Sequence, residues 1–373
     1  MKILMLTSHY HPTPGGSERQ AHQLARSLVA RGHGVRVLTM QCGNHPVVST
    51  LDGVRIYRSI HAVKRGVLFG VSYLLTSIGG IVRLGRDADI VHAHHLYLDA
   101  IAAAAVGRPL RASTLAKVAC GGSGGDLSRL NRTAGVGLVR RLLRRLDRVV
   151  TPSRQTETEI CHAGFPAHRV IRIPNGVDTA RFHPAGPSAA DGGPRTVLFL
   201  GRLEQQKGID TLLDAWAEIA PRLPGTTLAI GGDGAQARAL LAKAEGLGVA
   251  DRVQFLGAVP NPEEHLRRAS AFVLPSRYEG LPNALLEAMA TGLPTVATAI
   301  GGTLDVATDE AQALMVPPDD SAALAKALHR VLTDADLGRR LGVAARNRVV
   351  AEFSLDRMVT RYERLYREMQ HAA

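Results

Sequence analysis

The stretch that decides the fold covers residues 271–287 and reads AFVLPSRYEGLPNALLE. Its first four residues form a continuous apolar run, which predicts a buried strand. A Pro-Ser turn follows, and apolar residues then recur at helical spacing across 284–291. The pattern predicts a strand, a loop and a helix, with Asn283 as the N-cap just after Pro282.

The loop in this stretch combines an anion site with two acids. Backbone N–H groups and the positive end of a helix dipole favour a bound anion, typically a phosphate. Glu279 stands in the loop and Glu287 in the second helical turn, where carboxylates suit neutral hydroxyl donors better than phosphate. Sugars supply hydroxyls, so the stretch indicates a nucleotide-sugar site, with one Glu for a ribose diol and one for the donor sugar or the forming charge. The alternative is a helix whose first-turn acids merely complement its dipole.

The spacing Glu-x7-Glu after a short strand resembles the signature of retaining family 4 glycosyltransferases with the GT-B fold. Other matching pieces occur in the family's order and together span almost the whole chain: Gly15-Gly16, the PNGVD sequence at 174–178, Gly201-Arg202-Leu203 and Lys207-Gly208. The resemblance implies an α/β protein with two Rossmann-like domains that face each other across a cleft.

The composition agrees with two folded α/β domains. At 373 residues the chain is long enough for two cores, and 45% hydrophobic residues exclude a disordered protein. Cys42, Cys120 and Cys161 are scattered and odd in number, which favours a reducing compartment over disulfides or a zinc site. The first apolar run reaches polar residues by Thr7, too early for a signal peptide. We therefore expect a cytoplasmic protein.

A formal net charge of +12 suggests nucleic acid, anionic lipid or a phosphorylated substrate as a partner. Aromatic residues make up only 4% and no basic run is interleaved with them, which argues against nucleic acid. Residues 67–82 are uncharged, yet shorter than the ~20 residues of a bilayer span. They predict a helix between the sheet and a membrane surface.

A second feature of the first half points toward lipid. The arginines at 140, 141, 144 and 145 fall on one face of a predicted helix. Such a face belongs either to an interfacial helix on anionic lipid or to a solvated surface helix. The first reading places the protein at the inner face of the membrane.

Two loops of the first half carry further candidate residues. Gly15 and Gly16 stand at the entrance of a helix predicted over 17–31, where glycine lets the backbone approach a ligand closely. The resemblance places this loop beside the donor phosphates and the acceptor; an ordinary tight turn is the alternative. A predicted strand at 89–95 ends in three histidines, of which His92 and His94 share one face. That geometry suits a metal, but no Cys or further carboxylate accompanies it, so acceptor contact or packing is favoured.

Residues 120–126 form a glycine-rich loop after a strand predicted over 111–119. Many family members place here a His that touches the donor sugar, and this chain has none. Lys117, Gly121, Gly122 and Asp126 occupy the region instead. The loop either exposes backbone N–H groups to a sugar or phosphate, or is mobile until a ligand arrives. Which residue replaces the His stays open.

The resemblance assigns the main chemistry to the second half. Arg202 at a strand end and Lys207 at a helix start would converge on one diphosphate, the first as a forked donor and the second as a point charge. In retaining enzymes of this fold without a metal, two such cations stabilise the leaving nucleoside diphosphate. Glu279 would position the donor sugar and Glu287 would bind ribose. The expected catalytic residues are Glu279, Arg202 and Lys207; the expected binding residues add Gly15, Gly16, Gly280, Leu281, Asn283 and Glu287.

The predicted organisation is an acceptor-binding domain at 1–184, a nucleotide-sugar domain at 195–354, and a helix at 355–373 that returns to the first domain. The stretch 184–194 has the Pro, Gly and Ala content of a linker.

The predicted activity is retaining transfer of a hexosyl group from a UDP- or GDP-sugar to a sugar or lipid-linked acceptor, in polysaccharide or glycolipid assembly. No metal and no cofactor are expected. A nucleotide-sugar 2-epimerase and a non-catalytic sugar-nucleotide-binding protein are the alternatives. A phosphorylase-like enzyme would need a pyridoxal lysine, for which the sequence has no signal.

Overall fold

A computed structural model describes residues 1–11, 15–122, 124–133, 135–184 and 195–371. The chain folds into two compact units. Unit 1 comprises Met1–Asn175 and Leu355–Ala373, and unit 2 comprises Gly176–Ser354.

The boundary between the units lies about ten residues before the predicted linker. The N–H of Val177 donates to the carbonyl of Phe353 at 2.9 Å, and Val177 also forms a parallel bridge with Ser354. Phe182 is buried in the core of unit 2. These contacts bind residues 176–184, which the sequence pattern places in the first domain, to the second one. Residues 185–194 of the predicted linker lie outside the described part of the chain.

Unit 1 is built on an eight-stranded sheet in the order β3-β4-β2-β1-β5-β6-β7-β8, where only β3 runs antiparallel. The strands are β1 (Lys2–Leu6), β2 (Gly34–Met40), β3 (Val48–Leu51), β4 (Val54–Ile60), β5 (Ile90–Ala93), β6 (Ser113–Lys117), β7 (Arg148–Thr151) and β8 (Val170–Arg172). The helices are α1 (Gly16–Ala30), α2 (Gly66–Leu84), α3 (Leu98–Leu110), α4 (Asp126–Asn131), α5 (Val136–Leu143), α6 (Arg154–His162) and, at the end of the chain, α14 (Leu355–His371).

Helices cover both faces of this sheet because successive side chains of a strand point to opposite sides. In β1, Ile3 and Met5 join one core with side chains of α1 and α14. Leu4 and Leu6 join a second core with side chains of α2, α3 and α5. A strand buried on both faces reads as a continuous apolar run, which is how β1 appears in the sequence.

Helix α14 is held against the rest of unit 1 by ion pairs as well as by its apolar face. Arg31, just after α1, pairs with Asp356 and with Glu363, each at 2.5 Å. His33 lies 2.7 Å from the same Glu363 carboxylate. Tyr362 and Tyr366 of α14 are fully buried in the core.

Helix α2 has an unusually apolar surface. An 18-residue stretch of this 19-residue helix has a mean hydropathy of 1.7, so by length and composition alone the helix could cross a membrane, although 28% of that stretch is buried in the protein. Tyr73 and Ile81 face the core. The outer side of the helix carries exposed apolar side chains, whose exposed fractions are 84% for Val67, 57% for Leu68 and 67% for Leu75.

Helix α5 is shorter than the predicted basic helix. It ends at Leu143, so Arg144 and Arg145 lie in the turn that follows. Arg140 is half-buried and donates to Asn131 at 2.7 Å. Arg141, Arg144 and Arg145 are exposed. The basic cluster therefore exists on the surface, but only part of it is helical.

Unit 2 contains a six-stranded, fully parallel sheet in the order β11-β10-β9-β12-β13-β14. The strands are β9 (Arg195–Leu200), β10 (Thr226–Gly231), β11 (Val253–Gly257), β12 (Ala271–Leu274), β13 (Thr295–Thr298) and β14 (Leu314–Val316). The helices are α7 (Ile209–Ile219), α8 (Ala237–Gly246), α9 (Pro262–Arg268), α10 (Asn283–Ala290), α11 (Gly301–Leu304), α12 (Ser321–Thr333) and α13 (Ala335–Glu352).

Candidate active site

The candidate site of unit 2 lies where β9 and β12 end. These strands are neighbours in the sheet and run parallel, so the loops that follow them share its carboxyl edge, where open α/β sheets bind ligands. The loop after β9 carries Arg202 and Lys207, and the loop after β12 carries Glu279 and Gly280. Topology thus brings together residues more than 70 positions apart in the sequence.

Lys207 and Glu279 form an ion pair across these two loops. Lys207 Nζ lies 2.5 Å from Glu279 Oε1, and the side chains are exposed to only 15% and 8%. The hydroxyl of Ser276, which is buried, donates to the same Glu279 oxygen at 2.8 Å. The carboxylate is therefore compensated by one cation and oriented by one neutral donor.

Two glycines allow this close packing of loops. A Cβ on Gly208 would lie 2.1 Å from the carbonyl oxygen of Pro275, and Gly208 also has a φ of +63°. A Cβ on Gly302 would lie 2.5 Å from the carbonyl oxygen of Gly280. Any larger residue would push the Lys207 turn or the Glu279 loop out of place.

Helix α10 begins one residue away from where the sequence pattern put its start. Asn283 is the first helical residue, and the extended flanking position belongs to Pro282. The prediction that Asn283 is the N-cap is therefore wrong, because a side chain caps from the flanking, non-helical position. The first turn contains no acid, so the alternative in which first-turn acids complement the dipole does not fit. Glu287 in the second turn is buried.

Arg202 has surroundings unlike those of Lys207. Its side chain is 61% exposed, and its guanidinium pairs with Glu204 at 2.9 Å. Leu281 is buried beside the Glu279 loop. The structure joins Lys207 directly with Glu279, whereas the convergence of Arg202 and Lys207 on one diphosphate stays a prediction.

The three histidines after β5 separate into two environments. His92 is buried, stacks on His94 with ring centres 4.1 Å apart, and shares a 2.8 Å hydrogen bond with the Tyr366 hydroxyl. Burial, assisted by the charge of Lys117, lowers the pKa of His92 to about 3 and that of His94 well below its usual range. Both rings are neutral core side chains, as the packing alternative predicted. Within the described ranges no group of three His, Cys, Asp or Glu side chains could hold a metal; metal independence stays a prediction.

His95 is a different case, because it pairs with a carboxylate that the sequence interpretation passed over. Asp99 is fully buried and lies 2.9 Å from His95 Nδ1. It also accepts hydrogen bonds from the Tyr73 hydroxyl and, at 3.2 Å, from the Ser8 hydroxyl. Burial alone would lower the pKa of His95, but the hydrogen bond and charge of Asp99 raise it to about 9. The sequence feature that could have identified Asp99 is its position as an acid within the otherwise apolar start of α3, Leu98-Asp99-Ala100-Ile101.

The acids around the glycine-rich loop accept hydrogen bonds from backbone N–H groups in and near the loop. Asp126 accepts from the N–H groups of Ala119 at 2.8 Å and Leu96 at 3.2 Å. Glu159 accepts from the N–H of Gly122 at 3.2 Å, so that N–H is not presented to a ligand. Ser123 lies outside the described residues.

Lys117, the other residue of this region, is also engaged. Its buried amine donates to the side-chain oxygen of Asn175 at 2.7 Å, and burial lowers its pKa to about 8. Which of these residues takes the place of the family's His stays open.

Gly15 and Gly16 stand at the start of α1. Gly15 is the extended flanking residue and Gly16 the first helical one. The carboxylate of Glu18 lies so close to Gly15 that a Cβ there would sit 1.9 Å from it. Residues 12–14 of the same loop lie outside the described part of the chain, and a ligand role for the two glycines stays a prediction.

Comparison with known proteins agrees with this architecture. A model described as Glycosyltransferase Family 4 matches residues 14–181, and one described as Glycosyl transferases group 1 matches residues 185–348. Glycogen synthase of Mycobacterium tuberculosis is 31% identical over 98% of this chain and 94% of its own length. The chain is a family 4 glycosyltransferase.

Two further comparisons are with proteins of different names. It is 28% identical to a GDP-mannose-dependent alpha-(1-6)-phosphatidylinositol monomannoside mannosyltransferase of Mycobacterium tuberculosis, over 96% of each chain. It superimposes on a sucrose-phosphate synthase from Thermosynechococcus elongatus with a TM-score of 0.82, 26% identity and full coverage of both chains.

The Anabaena protein Alr3699/HepE, solved with UDP-glucose, has a TM-score of 0.81 at 19% identity over the full length of both chains, which shows a shared fold. The predicted family and the predicted GT-B fold with two Rossmann-like α/β domains are confirmed.

Proposed function

We propose that this glycosyltransferase moves a hexosyl group from a UDP- or GDP-sugar to an acceptor hydroxyl. The observation that carries the proposal is the compensated pair of Lys207 and Glu279 at the carboxyl edge of the unit 2 sheet. A cation that can leave its partner suits a diphosphate, and a carboxylate held by a neutral donor suits sugar hydroxyls. The names of relatives give further support, since one uses GDP-mannose and the Anabaena structure holds UDP-glucose.

In this proposal negative charge develops on the leaving diphosphate, next to Lys207. The bond between the sugar C1 and the diphosphate oxygen breaks, a bond from C1 to the acceptor oxygen forms, and the acceptor proton moves to a diphosphate oxygen. Lys207 and Arg202 stabilise the negative charge that grows on the leaving diphosphate. Glu279, released from Lys207, accepts from the hydroxyls of the donor sugar, while Glu287 binds ribose. Departure and attack on the same face give retention, and we propose that the two cations make a catalytic metal unnecessary.

The acceptor in this proposal is lipid-linked. Helices α2 and α5 cover the same face of the unit 1 sheet. Exposed apolar side chains lie on α2, and exposed arginines lie on α5 at 141 and in the turn after it at 144 and 145. Apolar and basic side chains on the same side of a protein suit the surface of an anionic bilayer. The name of the phosphatidylinositol mannoside relative supports a glycolipid, whereas the name glycogen synthase favours a soluble polysaccharide. The glycosyltransferase would then work at the cytoplasmic face of a membrane.

Vesicle binding tests the lipid-linked acceptor. Each basic residue near an anionic surface contributes roughly 1 kcal/mol, so Arg141→Glu, Arg144→Glu and Arg145→Glu together should weaken cosedimentation with phosphatidylserine vesicles by at least about 100-fold. The matched control changes the exposed arginines of α14, on the other face of the sheet, at 361, 364 and 367. Absence of binding at low salt, or equal losses in both triple variants, would favour a soluble acceptor.

A donor screen tests the activity itself. The protein is incubated with radiolabelled UDP- and GDP-sugars, with and without a membrane lipid extract. The proposal predicts label in the lipid fraction, together with an equal release of nucleoside diphosphate. An epimerase would convert the nucleotide sugar without an acceptor, and a binding protein would retain it unchanged.

A further inference from the structure

We propose that Arg277 is a positioning residue, which fixes the Lys207–Glu279 pair by tying together the two loops that carry it. The inference rests on the proposed function, because it assigns Arg277 a part in the same site. Arg277 stands two residues before Glu279, at the point where the loop after β12 passes the turn at Gln205–Lys207.

The contacts between Arg277 and the Lys207 turn involve both backbone and side chain. The N–H of Arg277 donates to the carbonyl of Gln206 at 2.8 Å, and its Nη1 donates to the carbonyl of Gln205 at 2.5 Å. A reciprocal hydrogen bond runs from the side-chain amide of Gln206 to the carbonyl of Tyr278 at 2.8 Å. Three hydrogen bonds thus join the residues just before Lys207 to those just before Glu279.

Two acids outside the pair hold the guanidinium in place. Asp210, in the first turn of α7, accepts from Nη1 at 3.0 Å and from Nη2 at 2.8 Å. Asp319, in the loop before α12, accepts from Nε at 2.7 Å. Burial alone would raise the pKa of Asp210, but the hydrogen bonds and charge of Arg277 lower it. Asp210 therefore remains ionised at neutral pH and, together with the hydrogen bond to Asp319, keeps the arginine anchored.

This arrangement needs an arginine. The planar guanidinium donates in several directions at fixed angles, so one side chain serves two carboxylates and a carbonyl at once. A lysine would keep the positive charge but lose the donors that the planar guanidinium holds at fixed angles. Because Arg277 is already committed to two acids, it is poorly suited to bind the diphosphate itself. Its contribution to the reaction acts through the geometry of the two loops.

The consequence for catalysis concerns turnover more than binding. A displacement of about 1 Å in a catalytic group can cost about 100-fold in rate. Loosening the loops would misplace Lys207 and Glu279 relative to each other, while the remaining contacts to the nucleotide stay. We therefore expect Arg277→Lys to lower kcat by about 100-fold with little change in the donor KM, and Arg277→Gln to lower it further.

Arg252 supplies the matched control. It also donates to backbone carbonyls, those of Leu223 at 2.6 Å and Thr226 at 2.6 Å, but at the amino-terminal edge of the same sheet. Arg252→Lys should lower the thermal midpoint at least as much as Arg277→Lys and leave kcat unchanged. Asp319→Asn leaves both hydrogen bonds between Arg277 and Asp210 in place. Its kcat should therefore lie between those of the wild type and Arg277→Lys.

The experiment measures kcat, donor KM and thermal midpoint of these variants with the donor found in the screen, and amide hydrogen exchange in the peptides covering 205–209 and 276–281. Exchange should accelerate in both peptides in Arg277→Lys and in neither in Arg252→Lys. Equal kcat losses in the two lysine variants, or unchanged exchange in Arg277→Lys, would overturn the proposal. If the wild type transfers nothing, the proposed function fails, and hydrogen exchange alone decides whether Arg277 ties the loops.

Discussion

Replacing Lys207 tests the ion pair in two ways at once. In Lys207→Met, the Glu279 carboxylate keeps the hydroxyl of Ser276 and loses its cation. Removing one partner of a buried pair costs about 3–5 kcal/mol, because the remaining charge is uncompensated. For a unit the size of unit 2, that is a fall in thermal midpoint on the order of 10 °C. Turnover should fall by about 100- to 1,000-fold, since one donor to the developing charge is gone.

The double variant Lys207→Met/Glu279→Gln separates these effects. Both charges are then absent, and the amide that replaces the carboxylate is neutral, so stability should return to within about 1 kcal/mol of the wild type. Turnover should stay low, because the cation for the diphosphate is still missing. The assays are thermal unfolding followed by circular dichroism, and the rate of nucleoside diphosphate release. A double variant no more stable than Lys207→Met, or a single variant with a near-normal rate, would refute this reasoning.

Three other predictions rest on separate observations. Arg202→Ala should change the free energy of unfolding by less than about 1 kcal/mol, because the ion pair of Arg202 with Glu204 is exposed. The same variant should slow turnover strongly, and a near-normal rate would remove Arg202 from the mechanism. Activity should persist in EDTA, and its abolition with rescue by manganese would contradict the two-cation mechanism. The His95 imidazolium, observed by NMR, should titrate near pH 9, and Asp99→Asn should lower that midpoint to below about 6.5, because burial then prevails. Since the folded-state pKa is raised, the pair stabilises the protein fully below about pH 6.5 and loses this effect as the pH rises through 9; a wild-type midpoint near 6.5 would count against it.

The sequence predicted the part of the site that depends on strand order and local pattern. Strands β9 and β12 are apolar runs, and the loops after parallel strands share one edge of the sheet. The positions of Lys207 and Glu279 on neighbouring loops follow from that rule. The predicted start of α10 differs from the observed start by one residue, because the pattern of an Asn after a Pro fits an N-cap and a first helical residue equally well.

Other features could not be predicted because they depend on contacts between distant residues. The boundary at Asn175 results from Val177 bonding to Phe353, a residue at the far end of unit 2. The acids that hold Arg277 lie 67 and 42 positions away in the sequence. Asp99 could have been singled out as an acid in an apolar helix, but its pairing with His95 and Tyr73 required the structure.

Calorimetric titration with UDP and GDP tests the central claim, that Lys207 belongs to a nucleoside diphosphate site in unit 2. The wild type should bind at least one of the two nucleotides. Lys207→Met/Glu279→Gln, chosen because its stability should match the wild type, should bind that nucleotide at least about 10-fold more weakly, the loss expected from one charged hydrogen bond. Binding of neither nucleotide by the wild type, or equal affinity in the double variant, would contradict the account.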